Sequence, residues 1–108
     1  MSGWQDIGAA EDVPRLGARV VKAGGQCLAV FRTADDAYFA LDDRCPHRGG
    51  PLSQGIVHGH KVTCPLHNFV IDLEKGEAVA PDEGRVRRHA IRVENGRLLL
   101  ALSESLAA

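Results

Sequence analysis

Short apolar runs rich in Val, Ile, Leu and Phe alternate with clusters of Gly, Pro, Asn and Asp along this chain, a pattern that predicts many short strands. A first strand is expected over Trp4 to Ile7, followed by a turn region at Asp12-Val13-Pro14. Residues 19–22 and 26–31 flank Gly24-Gly25, a two-residue hairpin signal, because glycine accepts the positive φ angles such a turn demands. Residues 37–41 follow a polar turn at Asp35-Asp36 and form the next expected strand. A strand around Lys61-Val62-Thr63 leads into Cys64, and another covers residues 69–73 before a turn at Glu74-Lys75-Gly76. Finally, residues 88–94 and 97–102 flank Asn95-Gly96, the strongest short hairpin signal in the chain. Many short strands at close spacing predict an all-β fold, a small antiparallel β-sandwich or partly open barrel. Residues 42–69 read as an inserted subdomain with two loop tips, and the whole of 1–108 as a single domain.

Composition narrows the classes without choosing among them. The 108 residues are enough for one domain with a modest core. A hydrophobic share of 44% and a charged share of 25% are ordinary for a globular protein. A formal net charge of −1 gives no basic face for nucleic acid, and no run of eighteen apolar residues is present to cross a membrane. The opening Met1-Ser2-Gly3-Trp4-Gln5-Asp6 has no basic n-region, apolar h-region or twin-Arg signal, so the expected compartment is the cytoplasm. Of the three cysteines, Cys27 lies in the apolar run Cys27-Leu28-Ala29-Val30-Phe31 and is expected to pack as a buried thiol. Trp4 and Tyr38 are likewise expected in the core.

The chemistry is concentrated in two clusters, Cys45-Pro46-His47 and Cys64-Pro65-Leu66-His67, separated by sixteen residues. Each offers one thiolate and one imidazole within a Gly- and Pro-rich loop, so two loops can grip one metal centre. A tetrahedral zinc and a [2Fe–2S] cluster with two Cys on one iron and two His on the other both fit those donors. Structural zinc sites usually begin with a Cys pair, which makes a Cys-x-His first half atypical for zinc. His58 and His60 lie between the clusters and are expected to face solvent, because four better-placed donors fill the site. His89, beside Arg85, Arg87, Arg88 and Arg92, is expected on an exposed basic face.

The two clusters and their flanks, Cys45-Pro46-His47-Arg48-Gly49-Gly50-Pro51-Leu52 and Cys64-Pro65-Leu66-His67-Asn68, resemble the Rieske family over nearly the whole chain. The resemblance implies a Rieske-like fold with one [2Fe–2S] cluster held by Cys45, His47, Cys64 and His67, the two His at an exposed tip. Gly49 and Gly50 then either aim amide N–H groups at the sulfides or simply turn the chain. Pro81, in Ala80-Pro81-Asp82-Glu83-Gly84, resembles the third, proline-bearing loop of the family. Nothing in the chain looks like a substrate site, a nucleotide fingerprint or a mononuclear iron triad, so the protein is not expected to be catalytic alone. It reads as an electron carrier or a subunit of an oxidoreductase.

Within the family, Gly55-Ile56-Val57-His58-Gly59, Val62 to Phe69, Ile71-Asp72-Leu73, Gly76-Glu77-Ala78 and the Pro-Asp-Glu-Gly segment look like the small subunit of assimilatory NAD(P)H-dependent nitrite reductase. That implies a large partner bearing sirohaem, a [4Fe–4S] cluster and FAD, which reduces nitrite to ammonium. The alternative is a stand-alone Rieske ferredoxin working between a reductase and an aromatic-ring dioxygenase or similar oxygenase. Ring-dioxygenase ferredoxins usually show Trp-His-Gly around the second His, where this chain has Leu66-His67-Asn68.

The resemblance also implies where the potential lies. A cluster with two thiolates and two imidazoles is formally neutral when oxidised, and takes an electron more readily than a four-thiolate dianion. High-potential Rieske proteins add a disulfide between the loops and a Ser after the second His. Here Gly50, Leu66 and Phe69 occupy those places, so the donors that stabilise the reduced state are missing. The midpoint is therefore expected near the bottom of the family range, about −150 mV or somewhat below. Protein-film voltammetry checks this, and a clearly positive midpoint would refute it.

Overall fold

The computed structural model describes residues 4–44, 51–64, 69–79 and 84–101. Ten strands appear among them: β1 Trp4–Ala9, β2 Gly17–Ala23, β3 Gln26–Arg32, β4 Tyr38–Asp42, β5 Ile56–His58, β6 Lys61–Thr63, β7 Val70–Asp72, β8 Glu77–Ala78, β9 Arg88–Glu94 and β10 Arg97–Ala101. They form two antiparallel sheets, one of six strands in the order β1-β10-β9-β4-β3-β2 and one of four in the order β5-β6-β7-β8. The four-stranded sheet is inserted between β4 and β9, which pair directly through Ala40–His89 and Leu41–Arg88. No helix of the described residues is long and apolar enough to cross a membrane.

Turn chemistry accounts for the long hairpins. Gly24 and Gly25 have φ of 59° and 77°, and Asn95 and Gly96 have φ of 51° and 76°, the left-handed pair that matches the twist of the flanking strands. Both hairpins fall where the sequence places them. Two elements escape the sequence reading, β5 and β8. They are three and two residues long, too short for an alternating pattern to register.

Side chains of β3 alternate between two separate cores. Leu28 and Val30 join Ala10, Val13, Ala23, Ala40, Leu98 and Leu100 on one face. Ala29 and Phe31 face the other way and join Leu41, Leu52, Val57, Val62, Ile71 and Leu73 beneath the inserted sheet. The unbroken apolar run from Leu28 to Phe31 is thus a strand buried on both faces. For the three-residue strands of the insert, burial outweighs local pairing. Each net hydrogen bond contributes about 1 kcal/mol, whereas a buried Val or Ile contributes roughly 1.5–3 kcal/mol.

Three expectations are corrected by the structure. Cys27 falls by alternation on the face of Ala29 and Phe31, yet it is exposed. His89 lies on the opposite face from Arg88 and is buried, 3% exposed, with its ring N–H donating to Asp42 Oδ1 at 2.8 Å. Trp4, at the start of an outermost strand, is 38% exposed and lies under the Arg92 guanidinium, 4.5 Å from the ring centre. Tyr38 does pack against the core, with its hydroxyl donating to the Ala10 carbonyl.

The β5–β6 turn ties the insert to the six-stranded sheet. His60 donates through Nδ1 to Glu74 of the β7–β8 turn at 2.7 Å, and through Nε2 to Asp35 of the β3–β4 turn at 3.1 Å. Phe39 packs against the ring at 5.3 Å. The Glu74 and then the Asp35 hydrogen bonds raise the His60 pKa above the ordinary 6.5. Hydrogen bonds from Thr33 and then His60 hold Asp35 below the ordinary 3.8. The stabilisation from His60 is therefore complete below pH 6.5 and is lost as pH rises through the higher folded-state value. The Asp35 contribution is present above pH 3.8 and disappears as pH falls through its lowered folded value. Thermal unfolding from about pH 5.5 to about pH 8 is expected to show a midpoint that falls more steeply with pH in wild type than in His60→Ala. Equal pH slopes in the two proteins would sink this assignment.

Candidate functional site

The four-stranded sheet brings three loop stems to one end. Its register pairs Ile56 with Thr63 and Thr63 with Val70, and the Val79 N–H donates to the Val70 carbonyl at 2.9 Å. Residues 55–56, 63–64, 69–70 and 78–79 therefore cross that end in a row. The chain leaves it in three segments, 45–50, 65–68 and 80–83, which lie outside the described residues. Cys45, His47 and His67 fall in these segments, as do Gly49, Gly50, Leu66 and Pro81.

Cys64 is the one expected ligand among the described residues. It is fully buried at the root of its loop, against Val62, Phe69, Ile71 and their neighbours. Its backbone N–H donates to the Phe69 carbonyl at 2.7 Å, which closes the 65–68 segment directly behind the paired residues Thr63 and Val70. Phe69, 6% exposed, packs in the same apolar cluster as Cys64. The third segment is closed by the Ala78 N–H to the Gly84 carbonyl at 2.9 Å.

The stem of the first loop is built from both sheets. The Asp42 N–H donates to the Arg87 carbonyl, and the Asp43 N–H to the Cys27 carbonyl, each at 3.0 Å, so the chain enters the loop from the six-stranded sheet. It returns through a short 3-10 turn, Leu52–Gln54, whose Leu52 is fully buried in the core shared with the insert. The Asp43 carboxylate receives both the Ser53 N–H at 2.7 Å and the Ser53 hydroxyl at 2.8 Å. Sequence reasoning missed this contact. An acid two residues before the first Cys and a Ser shortly after the Gly-Gly-Pro turn were its available signal.

His60 does not belong to this end, and His58 reaches it only through Thr63 among the described residues. His60 sits in the turn at the far end of the sheet, held by carboxylates as described above. His58 is exposed, with its Nε2 2.7 Å from the Thr63 hydroxyl. The arrangement thus offers a fully buried thiol at the root of one loop, a second loop clamped at its stem, and a third beside them.

A family model described as Rieske [2Fe-2S] domain matches residues 3–90. The anthranilate 1,2-dioxygenase ferredoxin subunit of Burkholderia cepacia is 39% identical over 99 residues, covering 91% of each chain. The chain also matches part of longer proteins, spanning 24% of the length of a cholesterol 7-desaturase of Hemicentrotus pulcherrimus. Among solved structures, a chain from a complex of reduced oxygenase and oxidized ferredoxin in carbazole 1,9a-dioxygenase superposes with a TM-score of 0.83 at 27% identity, covering 98% of this chain and 99% of that one. A protein described as an NADH-dependent nitrite reductase small subunit from Mycobacterium tuberculosis gives a TM-score of 0.84 at 23% identity, over 94% of this chain and 96% of that one, a likeness of fold alone.

One position tests how tightly the stems are packed. A Cβ on Gly55 would lie 2.4 Å from the Thr63 carbonyl oxygen and 2.8 Å from a Val62 methyl, so a side chain there must push the 3-10 turn away from β6. Gly55→Ala is expected to cost about 1–3 kcal/mol in chemical unfolding, as overpacking does. An unchanged denaturation midpoint would contradict the packing described.

Proposed function

Because the chain belongs to the Rieske [2Fe-2S] family, we propose that its one cluster is held by Cys45, His47, Cys64 and His67 and that a partner protein performs the chemistry its electrons drive. When bound, the cluster takes up and returns one electron at a time. The donor set fits it: two thiols and two imidazoles in two loops, with Cys64 fully buried at the end of the sheet where those loops begin. That placement of Cys64 is the observation that carries the reading. An apolar root limits water around the sulfur end, which lowers local polarity and tunes the potential. We read 1–108 as one such domain. The cluster-binding subdomain expected at about 42–69 then rests on a sheet that continues to Ala78.

Two partner classes follow from separate observations. The 39% identity to a dioxygenase ferredoxin subunit over 91% of each chain supports a carrier between a reductase and an oxygenase. Leu66-His67-Asn68 and Pro81-Asp82-Glu83-Gly84 support the small subunit of a nitrite reductase whose large subunit bears sirohaem, a [4Fe–4S] cluster and FAD. Neither role calls for nucleic acid or a membrane.

Cys64→Ser and His67→Ala are expected to abolish bound iron, acid-labile sulfide and the reduced-state EPR signal, while His58→Ala and His60→Ala keep all three. A colourless wild type holding zinc would overturn the cluster. Stopped-flow mixing of the reduced protein with an aromatic-ring oxygenase, against a sirohaem nitrite reductase subunit, separates the partners. Fast reoxidation by only one of them assigns the role.

A further inference from the structure

Outside the four expected ligands, the Asp43 carboxylate is the group most intimately built into the first loop. It lies at the exit of β4, and its own N–H is fixed to the Cys27 carbonyl of β3. Its two oxygens take both hydrogen-bond donors of Ser53, ten residues further on. Ser53 in turn lies in the 3-10 turn anchored by the fully buried Leu52. The span between them contains Cys45 and His47. One carboxylate therefore fixes the distance between the two ends of a loop that carries half the expected donors. A backbone N–H and a hydroxyl held by the same carboxylate set the direction of the returning chain as well as its separation, because each charge-assisted hydrogen bond constrains an angle.

We propose that Asp43 is a positioning residue for the [2Fe–2S] site, acting through Ser53 to hold the first ligand loop in register with the second. The proposal rests on the cluster assignment of the preceding subsection. The two sides of the contact lie on different segments: Asp43 directly follows β4 of the six-stranded sheet, and Ser53 lies in the 3-10 turn that leads into β5 of the insert. The Cys64 loop is closed at its root within the insert, by the Cys64 N–H donating to the Phe69 carbonyl. Through Asp43, the two ends of the first loop are tied to each other. Without that tie the two ends of the loop lose the hydrogen bonds that fix their separation, and the donors of the first loop drift relative to Cys64. Partners that orient ligands in this way typically alter metal retention by about 10–100-fold when removed.

The test compares wild type with Asp43→Ala, Asp43→Asn and Ser53→Ala, all purified with iron and sulfide. Cluster loss to a chelator is followed by visible absorbance, and the dithionite-reduced proteins are compared by EPR. Asp43→Ala is expected to lose its cluster about tenfold faster or more, with a broadened EPR line that simple loss of fold stability would not produce. Ser53→Ala, which keeps the N–H contact, gives a smaller change of the same sign and stands in should Asp43→Ala not fold. Asp43→Asn retains near wild-type loss rates, because its amide oxygen still accepts the N–H while its NH₂ donates to the hydroxyl. Wild-type rates and lineshape in Asp43→Ala, or in Ser53→Ala if that alone folds, overturn the proposal. So does an Asp43→Asn that bleaches as fast as Asp43→Ala, since charge rather than geometry would then matter. A wild type without iron overturns this proposal and the cluster assignment together, whereas a loaded wild type with indifferent variants overturns the clamp alone.

Discussion

Strands β3 and β4 are buried on both of their faces, and the rest of the architecture depends on that constraint. A sheet with one apolar face supports one layer. Here Leu28, Val30 and Ala40 fill the interior closed by β10, while Ala29, Phe31 and Leu41 receive the inserted sheet on the other side. The insert could not stand by itself, since its strands are two or three residues long. Val57, Val62, Ile71 and Leu73 find their partners on β3 and β4, so the stems at the end of the insert are fixed relative to the larger sheet. Core interiors pack too densely for one layer to slide over the other without cost.

Much of this was legible from local signals. The Gly24-Gly25 and Asn95-Gly96 hairpins and the turn at Glu74-Lys75-Gly76 are fixed by residues that favour particular φ values, so they show in a single sequence. The Cys/His clusters mark where the series of strands is interrupted after β4, but not where the inserted sheet ends, since its last strand is two residues long. What failed was the assignment of faces. Cys27 reads as core because its neighbours are apolar, yet it is exposed while Ala29 and Phe31 on the same face are buried. His89 reads as part of a charged surface when charge is counted along the chain. Counted by strand parity, it falls with Ile91 rather than with Arg88 and Arg92, and Asp42, forty-seven residues away, satisfies it.

The site divides the same way. Two Cys-x-His-type clusters announce a metal centre because donor chemistry and spacing are local properties. The groups that hold the loops are not. The Asp43–Ser53 contact joins residues that only the returning 3-10 turn brings together, and the Cys64–Phe69 hydrogen bond exists only because Thr63 and Val70 pair. Sequence therefore nominates candidate donors, while topology decides how the stems beside them are held.

That division bears on how partner choice is encoded. Structures described as a dioxygenase ferredoxin complex and as a nitrite reductase small subunit superpose on this chain almost equally well, with TM-scores of 0.83 and 0.84. A fold shared so closely does not by itself separate the two descriptions. Affinity between transient redox partners depends on a small patch, where an exposed apolar residue and its polar surroundings weigh more than the fold beneath. Ile56, 70% exposed where the first strand of the insert begins, lies at that end beside Thr63 and the Cys64 root. The stems can stay constant while such residues vary, because Leu52, Val57 and Val62 anchor them from below and none of these faces a partner.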